Sequence, residues 1–202
     1  MKTKRKTAKI QYTVLAPPYF GLAEIGKIIA NEETSIIGRT VETTLYNITN
    51  DISQIHIKLR FRIIKVDNVK AYTVFYGHEL TRDYVRHLIR RGLSLIRGIA
   101  SVETKDNWKL RVTCMAVTAH RCQTSQKKAI RKIMMNIINQ KSQQCNVDEF
   151  VQQMILGKIA SEITNEARKL YPLRRVEIQK SKVIKLHELQ AETVNYLNIL
   201  HT

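Results

Sequence analysis

The most regular alternation in the chain lies at residues 55–63. Ile55, Ile57, Leu59, Phe61 and Ile63 alternate with His56, Lys58, Arg60 and Arg62. A period of two predicts a strand with one face toward a core and the other basic. Asp67-Asn68 then predicts a tight turn into another strand over residues 70–76. Earlier in the chain, residues 10–15 read as a short strand, and Pro17-Pro18 forces an extended or turn conformation after it. Residues 21–30 are expected to form a short helix, with Leu22, Ile25, Ile28 and Ile29 on one side. A strand over 38–46 and a linker at 47–51 follow.

Beyond residue 76 the period switches back and forth. Thr81 stands where it can cap a helix running to about residue 91, with Tyr84, Val85, Leu88 and Ile89 on its apolar side. Gly92 and Gly98 flank a further strand. Asp106-Asn107 marks a hairpin turn into residues 108–117, where Trp108, Leu110, Val112 and Cys114 share one face and Lys109, Arg111 and Thr113 the other. Residues 124–140 carry Ile130, Ile133, Met134, Ile137 and Ile138 at helical spacing. Helices over 147–156 and 158–170 follow, the second stopped by Pro172, and residues 174–184 read as a last strand.

These elements make the chain α+β. Residues 10–118 form a strand-rich, β-barrel-like domain with one inserted helix. Residues 119–185 add C-terminal helices and a returning strand. Residues 1–9 read as a flexible basic arm, and the tail 186–202 has no assignable pattern.

Charge changes the picture. The 202 residues hold 34 Lys or Arg against 17 Asp or Glu, a formal net charge of +17. An excess of that size repels itself in the folded state and usually serves a polyanion. From Asn107 to Val147 there is no acid at all, yet Lys109, Arg111, Arg121, Lys127, Lys128, Arg131, Lys132 and Lys141 occur. On the central helix Lys128, Arg131 and Lys132 fall opposite the apolar face, with Lys127 at the edge. No Glu at i±4 neutralises them. Nucleic acid is the first candidate partner and an anionic membrane surface the second. No apolar run reaches membrane-spanning length, and residues 1–9 lack the following apolar stretch of a secretory signal. Three cysteines, Cys114, Cys122 and Cys145, argue for a reducing compartment rather than a disulfide framework.

The candidate RNA-contacting residues follow from the basic faces. They are Lys2, Lys4, Arg5, Lys6 and Lys9 on the arm, then Lys58, Arg60 and Arg62 on the alternating strand. Arg82, Arg86 and Arg90 form a row at spacing four. Arg111 and Arg121 lead into Lys127, Lys128, Arg131 and Lys132, and Arg174 and Arg175 open the last strand. Charge spread over many elements fits a folded RNA contacted by shape and backbone better than one DNA groove.

Motifs with other chemistry fail on inspection. Gly21 to Ile28 nearly matches a phosphate-binding loop, but Ile28 replaces the hydroxyl that would hold magnesium. His78-Glu79-Leu80-Thr81-Arg82 has Arg82 where a zinc-protease helix needs its second histidine. His120 and the cysteines offer no C-x-x-C pair. The acids are scattered, with no pair suited to acid/base work. No catalytic, cofactor-binding or metal-binding residues are expected.

Several segments together resemble a known family. Tyr12-Thr13-Val14-Leu15-Ala16-Pro17, Phe20 and Ile25-Gly26-Lys27 resemble its opening. Gly77-His78-Glu79-Leu80-Thr81-Arg82-Asp83 resembles its G-x-[DE]-L-T-R-D segment. Leu110-Arg111-Val112 and residues 124–134 are similar to the approach to its long basic helix and to that helix. Residues 159–176, with Tyr171-Pro172-Leu173, resemble its C-terminal helix and strand. The family is the small-subunit ribosomal proteins of archaea and eukaryotes called S3Ae, and the short arm is of the archaeal type. The resemblance implies a β-barrel-like domain with appended helices and no catalytic activity. It implies a cytoplasmic, ribosome-bound protein on the platform near the mRNA exit. Its partners would be small-subunit rRNA, neighbouring small-subunit proteins and mRNA near the exit, with no membrane. The alternative from charge alone is a non-ribosomal basic RNA-binding regulator.

Overall fold

A computed structural model describes residues 9–185. The chain divides into two compact units at Tyr76/Gly77. The α+β class and the returning last strand are as the sequence predicts.

The first unit is built of five strands. β1 (Ile10–Leu15) pairs antiparallel with β2 (Glu24–Ala30), from Ile10 opposite Ala30 to Leu15 opposite Glu24. β3 (Thr40–Thr44) leads through a single helical turn, α1 (Tyr46–Thr49), into β4 (Ile57–Asp67). β5 (Lys70–Leu80) returns after a turn in which Asn68 takes φ +53°. Asparagine tolerates this left-handed conformation better than most residues, so the Asp67-Asn68 turn is as predicted. The start of β5 runs parallel to β1, with Thr13 opposite Lys70.

The helix expected over residues 21–30 is not formed. Those residues give a short turn ending at Gly21 (φ +75°) and then β2. Helical spacing of Ile25, Ile28 and Ile29 was coincidental. Ile28 and Ala30 point inward while Lys27 and Ile29 point out, which is a period of two. β-branched isoleucines also pack well on a pleated surface. A phosphate-binding loop needs a helix after it, so this geometry removes that motif. The core here gathers Tyr12, Val14, Ala30, Ile36, Ile63 and Ala71. Phe61 sits edge-on to both Phe20 and Phe75, at centroid distances of 5.6 and 6.4 Å, a favoured aromatic geometry.

The second unit begins with the end of β5. α2 (Arg82–Leu88) is shorter than predicted. Ile89 is extended, and the Thr81 side chain makes no capping bond. β6 (Leu95–Glu103) and β7 (Lys109–Thr118) form the predicted hairpin, with Asn107 at φ +59° in its turn. Gly98 lies inside β6, not at its edge. Three helices follow: α3 (Thr124–Gln144), α4 (Val147–Ile155) and α5 (Lys158–Arg168). β8 (Leu173–Lys185) then inserts between the end of β5 and β7, antiparallel to both. α3 packs on β6, α5 on β8, and the two helices touch. Ile130, Met134 and Ile138 of α3 are buried.

The β5–β8 junction is tight. His78 is buried between two groups of β8. Its Nε2 lies 3.1 Å from the Ile178 carbonyl oxygen and its Nδ1 2.6 Å from Ser181 Oγ. A carbonyl only accepts, so Nε2 carries the proton and the Ser181 hydroxyl donates to Nδ1. His78 is therefore a satisfied core histidine. Burial lowers its pKa from 6.5 to about 4. Next to it, a Cβ at Gly77 would stand 2.5 Å from the Ser181 carbonyl oxygen.

Two outcomes are expected. Gly77→Ala should lose about 2 kcal/mol or more in urea unfolding, because the clash is with backbone that cannot move aside. A loss under about half a kcal/mol would mean the strands part easily there. The depressed His78 pKa favours the neutral ring in the fold. Its stabilisation is complete above the unfolded value of 6.5 and lost as pH falls toward about 4. Urea midpoints measured across that window should fall in the wild type and fall less in His78→Gln.

Candidate nucleic-acid interface

The central helix places its cations as the sequence predicts. The Gln126 side chain accepts the Gln123 backbone N–H at 3.0 Å, which fixes the first turn. Lys128, Arg131 and Lys132 are exposed on α3 and Lys127 is half-buried. Helix and sheet approach closely because Gly98 has no side chain. A Cβ there would meet Met135 Sδ at 3.4 Å and Met134 Cε at 3.6 Å. The Arg131 Nε–H donates to the Arg97 carbonyl oxygen at 2.8 Å. That bond holds the guanidinium in place and leaves the rest of its donor fork for an anion.

The acid-free stretch is not wholly uncompensated. Lys141 Nζ pairs with Glu162 Oε1 of α5 at 2.7 Å, and Lys109 Nζ lies 3.7 Å from Glu103 Oε1 of β6. The other six basic residues of the stretch have no acidic partner in a salt bridge among the described residues.

A second basic face was only partly legible. Arg111 lies directly opposite Lys182, and Lys109 opposite Lys185, on the paired strands β7 and β8. All four side chains are exposed. Like charges directly across a ladder destabilise a sheet, and here two such pairs sit side by side. Arg97 of β6 is also exposed. Of these only Arg111 is among the candidate contacts read from the sequence, where Lys109 is named as basic without a contact assigned to it. Alternation of Lys180 and Lys182 with Ser181 and Val183 was the available signal, but register between distant strands is not encoded locally. Lys180 itself is neutralised by Glu79 at 3.1 Å.

Other predicted residues divide in the same way. Lys58 and Arg62 of β4 and Lys9 are exposed. Arg60 bonds Glu42 of β3 at 2.6 Å, the residue directly opposite it, so that strand face is less basic than it reads. Arg82 and Arg86 are exposed on α2, but Arg90 lies past the helix end. The row of three is therefore two helical arginines and one exposed neighbour. Arg121 and Arg174 are exposed. Arg175 donates to Glu177 at 2.8 Å. That hydrogen bond and the charge of Glu177 raise its pKa. Tyr84 donates to the same carboxylate at 3.3 Å, and burial raises its pKa. Lys2, Lys4, Arg5, Lys6 and the tail after Lys185 lie outside the described residues.

Burial pushes the Cys114 thiol up to about 12, which keeps it protonated and inert. Among the described residues no cluster of His, Cys, Asp or Glu could hold a metal ion. No helix of the described residues is long and apolar enough to cross a membrane.

The model of the ribosomal S3Ae family matches residues 2–187. The chain belongs to that family. It is 50% identical over 173 residues to the small ribosomal subunit protein eS1 of Staphylothermus marinus, covering 86% of this chain and 82% of the relative. It is 50% identical over 186 residues to that of Ignicoccus hospitalis, at 91% and 87% coverage. The eS1 protein of Archaeoglobus fulgidus is 43% identical over 203 residues, covering 96% of each chain.

The paired cations give a prediction about the free protein. Lys182→Glu should raise its melting temperature at low salt, because repulsion with Arg111 becomes attraction, a gain of about 0.2–1 kcal/mol. An unchanged melting temperature would mean that the two side chains already avoid each other.

Proposed function

We propose that this chain is a structural constituent of the small ribosomal subunit, bound to small-subunit rRNA through phosphate contacts and acting in translation. The observation that carries the proposal is the family match over nearly the whole chain, joined to exposed cations that lack acidic partners on α3 and on the β7–β8 face. Phosphate is the counter-charge that such faces suit. Arg131 and Arg111 can bond it bidentately, and Lys128, Lys132 and Lys182 act as point charges. Backbone contacts of this kind position a protein on folded RNA without reading sequence. The contacting set is Lys9, Lys58, Arg62, Arg82, Arg86, Arg90, Arg111, Arg121, Lys127, Lys128, Arg131, Lys132 and Arg174. Arg60 and Arg175, each already on a glutamate, contribute less.

The family resemblance supports a position on the platform near the mRNA exit, with neighbouring small-subunit proteins and mRNA as further partners. It supports a cytoplasmic, ribosome-bound chain with no catalytic role.

A sucrose gradient of native lysate at low and moderate salt tests the assembly. The chain should travel with the small subunit. If it stays at the top even at low salt, it is a free RNA-binding regulator. For the interface, Arg131→Glu with Lys132→Glu should weaken binding to purified small-subunit rRNA while circular dichroism stays unchanged. Wild-type affinity should fall by about three to five decades between 50 and 200 mM salt if six or more phosphates are neutralised. A well-folded variant with wild-type affinity would take α3 off the RNA surface.

A further inference from the structure

One surface of this basic chain does not suit RNA. β6 is an end strand of its sheet, paired only with β7 among the described residues. The Arg97 carbonyl points outward, since Arg131 of α3 reaches it, while Ser94 accepts from Thr118 on the β7 side. Alternation along a strand then puts the N–H and C=O of Ile99, Ser101 and Glu103 on the outer edge. Ile99 is 61% exposed.

The same edge borders a cleft of about 560 Å³ between the hairpin turn and the end of α3. Ser101, Thr104, Asn107, Asn139, Ser142 and Gln143 line it. Thr104 is 3% exposed and its hydroxyl has no hydrogen-bond partner. A buried hydroxyl without a partner is uncommon and costly. The cleft walls are fixed. Lys105 N–H donates to the Cys145 carbonyl at 3.4 Å, and Asp106 Oδ2 accepts the Val147 N–H at 3.0 Å.

The charge beside this cleft is reversed. Glu103 lines it, and Asp106 lies between two lining residues. Asp148 and Glu149 follow at the start of α4. Glu103 has Lys109 at 3.7 Å, but Asp106, Asp148 and Glu149 have no cation in a salt bridge among the described residues. Burial and the charges of Asp106 and Glu149 raise the Asp148 pKa to about 6. Among the described residues Lys105 is the one cation lining the cleft. The last turn of α3 also adds the negative end of a helix dipole. Arg111 and Lys109 of β7 lie opposite Ser101 and Glu103, so the negative side of the cleft is the one toward Asp106, Asp148 and Glu149, and cations are attracted there.

We propose that the outer edge of β6 from Ile99 to Glu103 takes an extended basic segment of another polypeptide as an added strand. Its main chain pairs with the free edge, as in other cases of strand addition. Amides and hydroxyls of the cleft meet its polar groups, and its Lys or Arg side chains lie toward Glu103, Asp106, Asp148 and Glu149. This goes beyond RNA binding and does not depend on it.

The test uses the full chain, isotope-labelled, with a short peptide alternating arginine and threonine. Addition should shift and protect the amides of Ile99, Ser101 and Glu103. The same peptide with glutamate for arginine should not bind. Ser101→Pro removes an outward N–H, which an edge strand tolerates, and should weaken peptide binding at least about tenfold. Asp148→Asn with Glu149→Gln should weaken it by a similar factor and leave rRNA affinity unchanged. If Ser101→Pro does not fold, the second variant decides alone. Shifts elsewhere, unchanged binding in either folded variant, or a uridine oligonucleotide occupying this edge in preference to the peptide would overturn the proposal.

Discussion

Arg111 and Lys182 are held side by side by a ladder of backbone hydrogen bonds, not by any attraction between them. Beneath them Leu110, Val112 and Val183 are buried. Burial of such side chains is worth about 1.5–3 kcal/mol each, several times the repulsion between two exposed cations. The apolar face therefore sets the register, and the register forces the charges together. Much of the basic surface rests on that asymmetry. On α3 the same relation recurs, with Ile130, Met134 and Ile138 anchoring the helix so that Lys128, Arg131 and Lys132 face out.

Not every cation is available. Arg60, Lys141, Lys169, Arg175 and Lys180 each have a carboxylate within 3.1 Å. These pairs are largely exposed and add little stability. Their effect is to sort the basic residues into self-satisfied ones and those that await an outside partner. Net charge does not make this distinction, because it depends on which strands and helices become neighbours.

Periodicity and turn chemistry made much of the fold readable. The alternation from Ile57 to Ile63, the turns at Asn68 and Asn107, and the amphipathic helix around Met134 are local signals that form as expected, whereas Ile55, the first residue of the expected strand, lies before β4 and is exposed. Failures came where local signals conflict or end. Ile25, Ile28 and Ile29 fit a helix by spacing, but pairing with β1 made them a strand. Arg82, Arg86 and Arg90 are evenly spaced, yet the helix stops at Leu88. On the candidate interface, the exposed cations of α3 could be read directly. The Arg111–Lys182 and Lys109–Lys185 pairs could not, since their partners lie some 70 residues apart and only the sheet brings them together. His78 read as a failed metal motif because its partner Ser181 lies about 100 residues away.

The last strand among the described residues is an interior strand of its sheet. β8 lies between the end of β5 and β7, and its residue Ser181 completes the surroundings of His78. A chain growing from its N-terminus cannot close this unit until β8, residues 173–185, has been made. Until then the facing edges of β5 and β7 lack the strand that pairs with both, and α5 lacks the strand it packs on. Topologies dominated by such distant pairings fold slowly and expose unpaired edges on the way. The net charge of +17 makes two such incomplete copies repel one another.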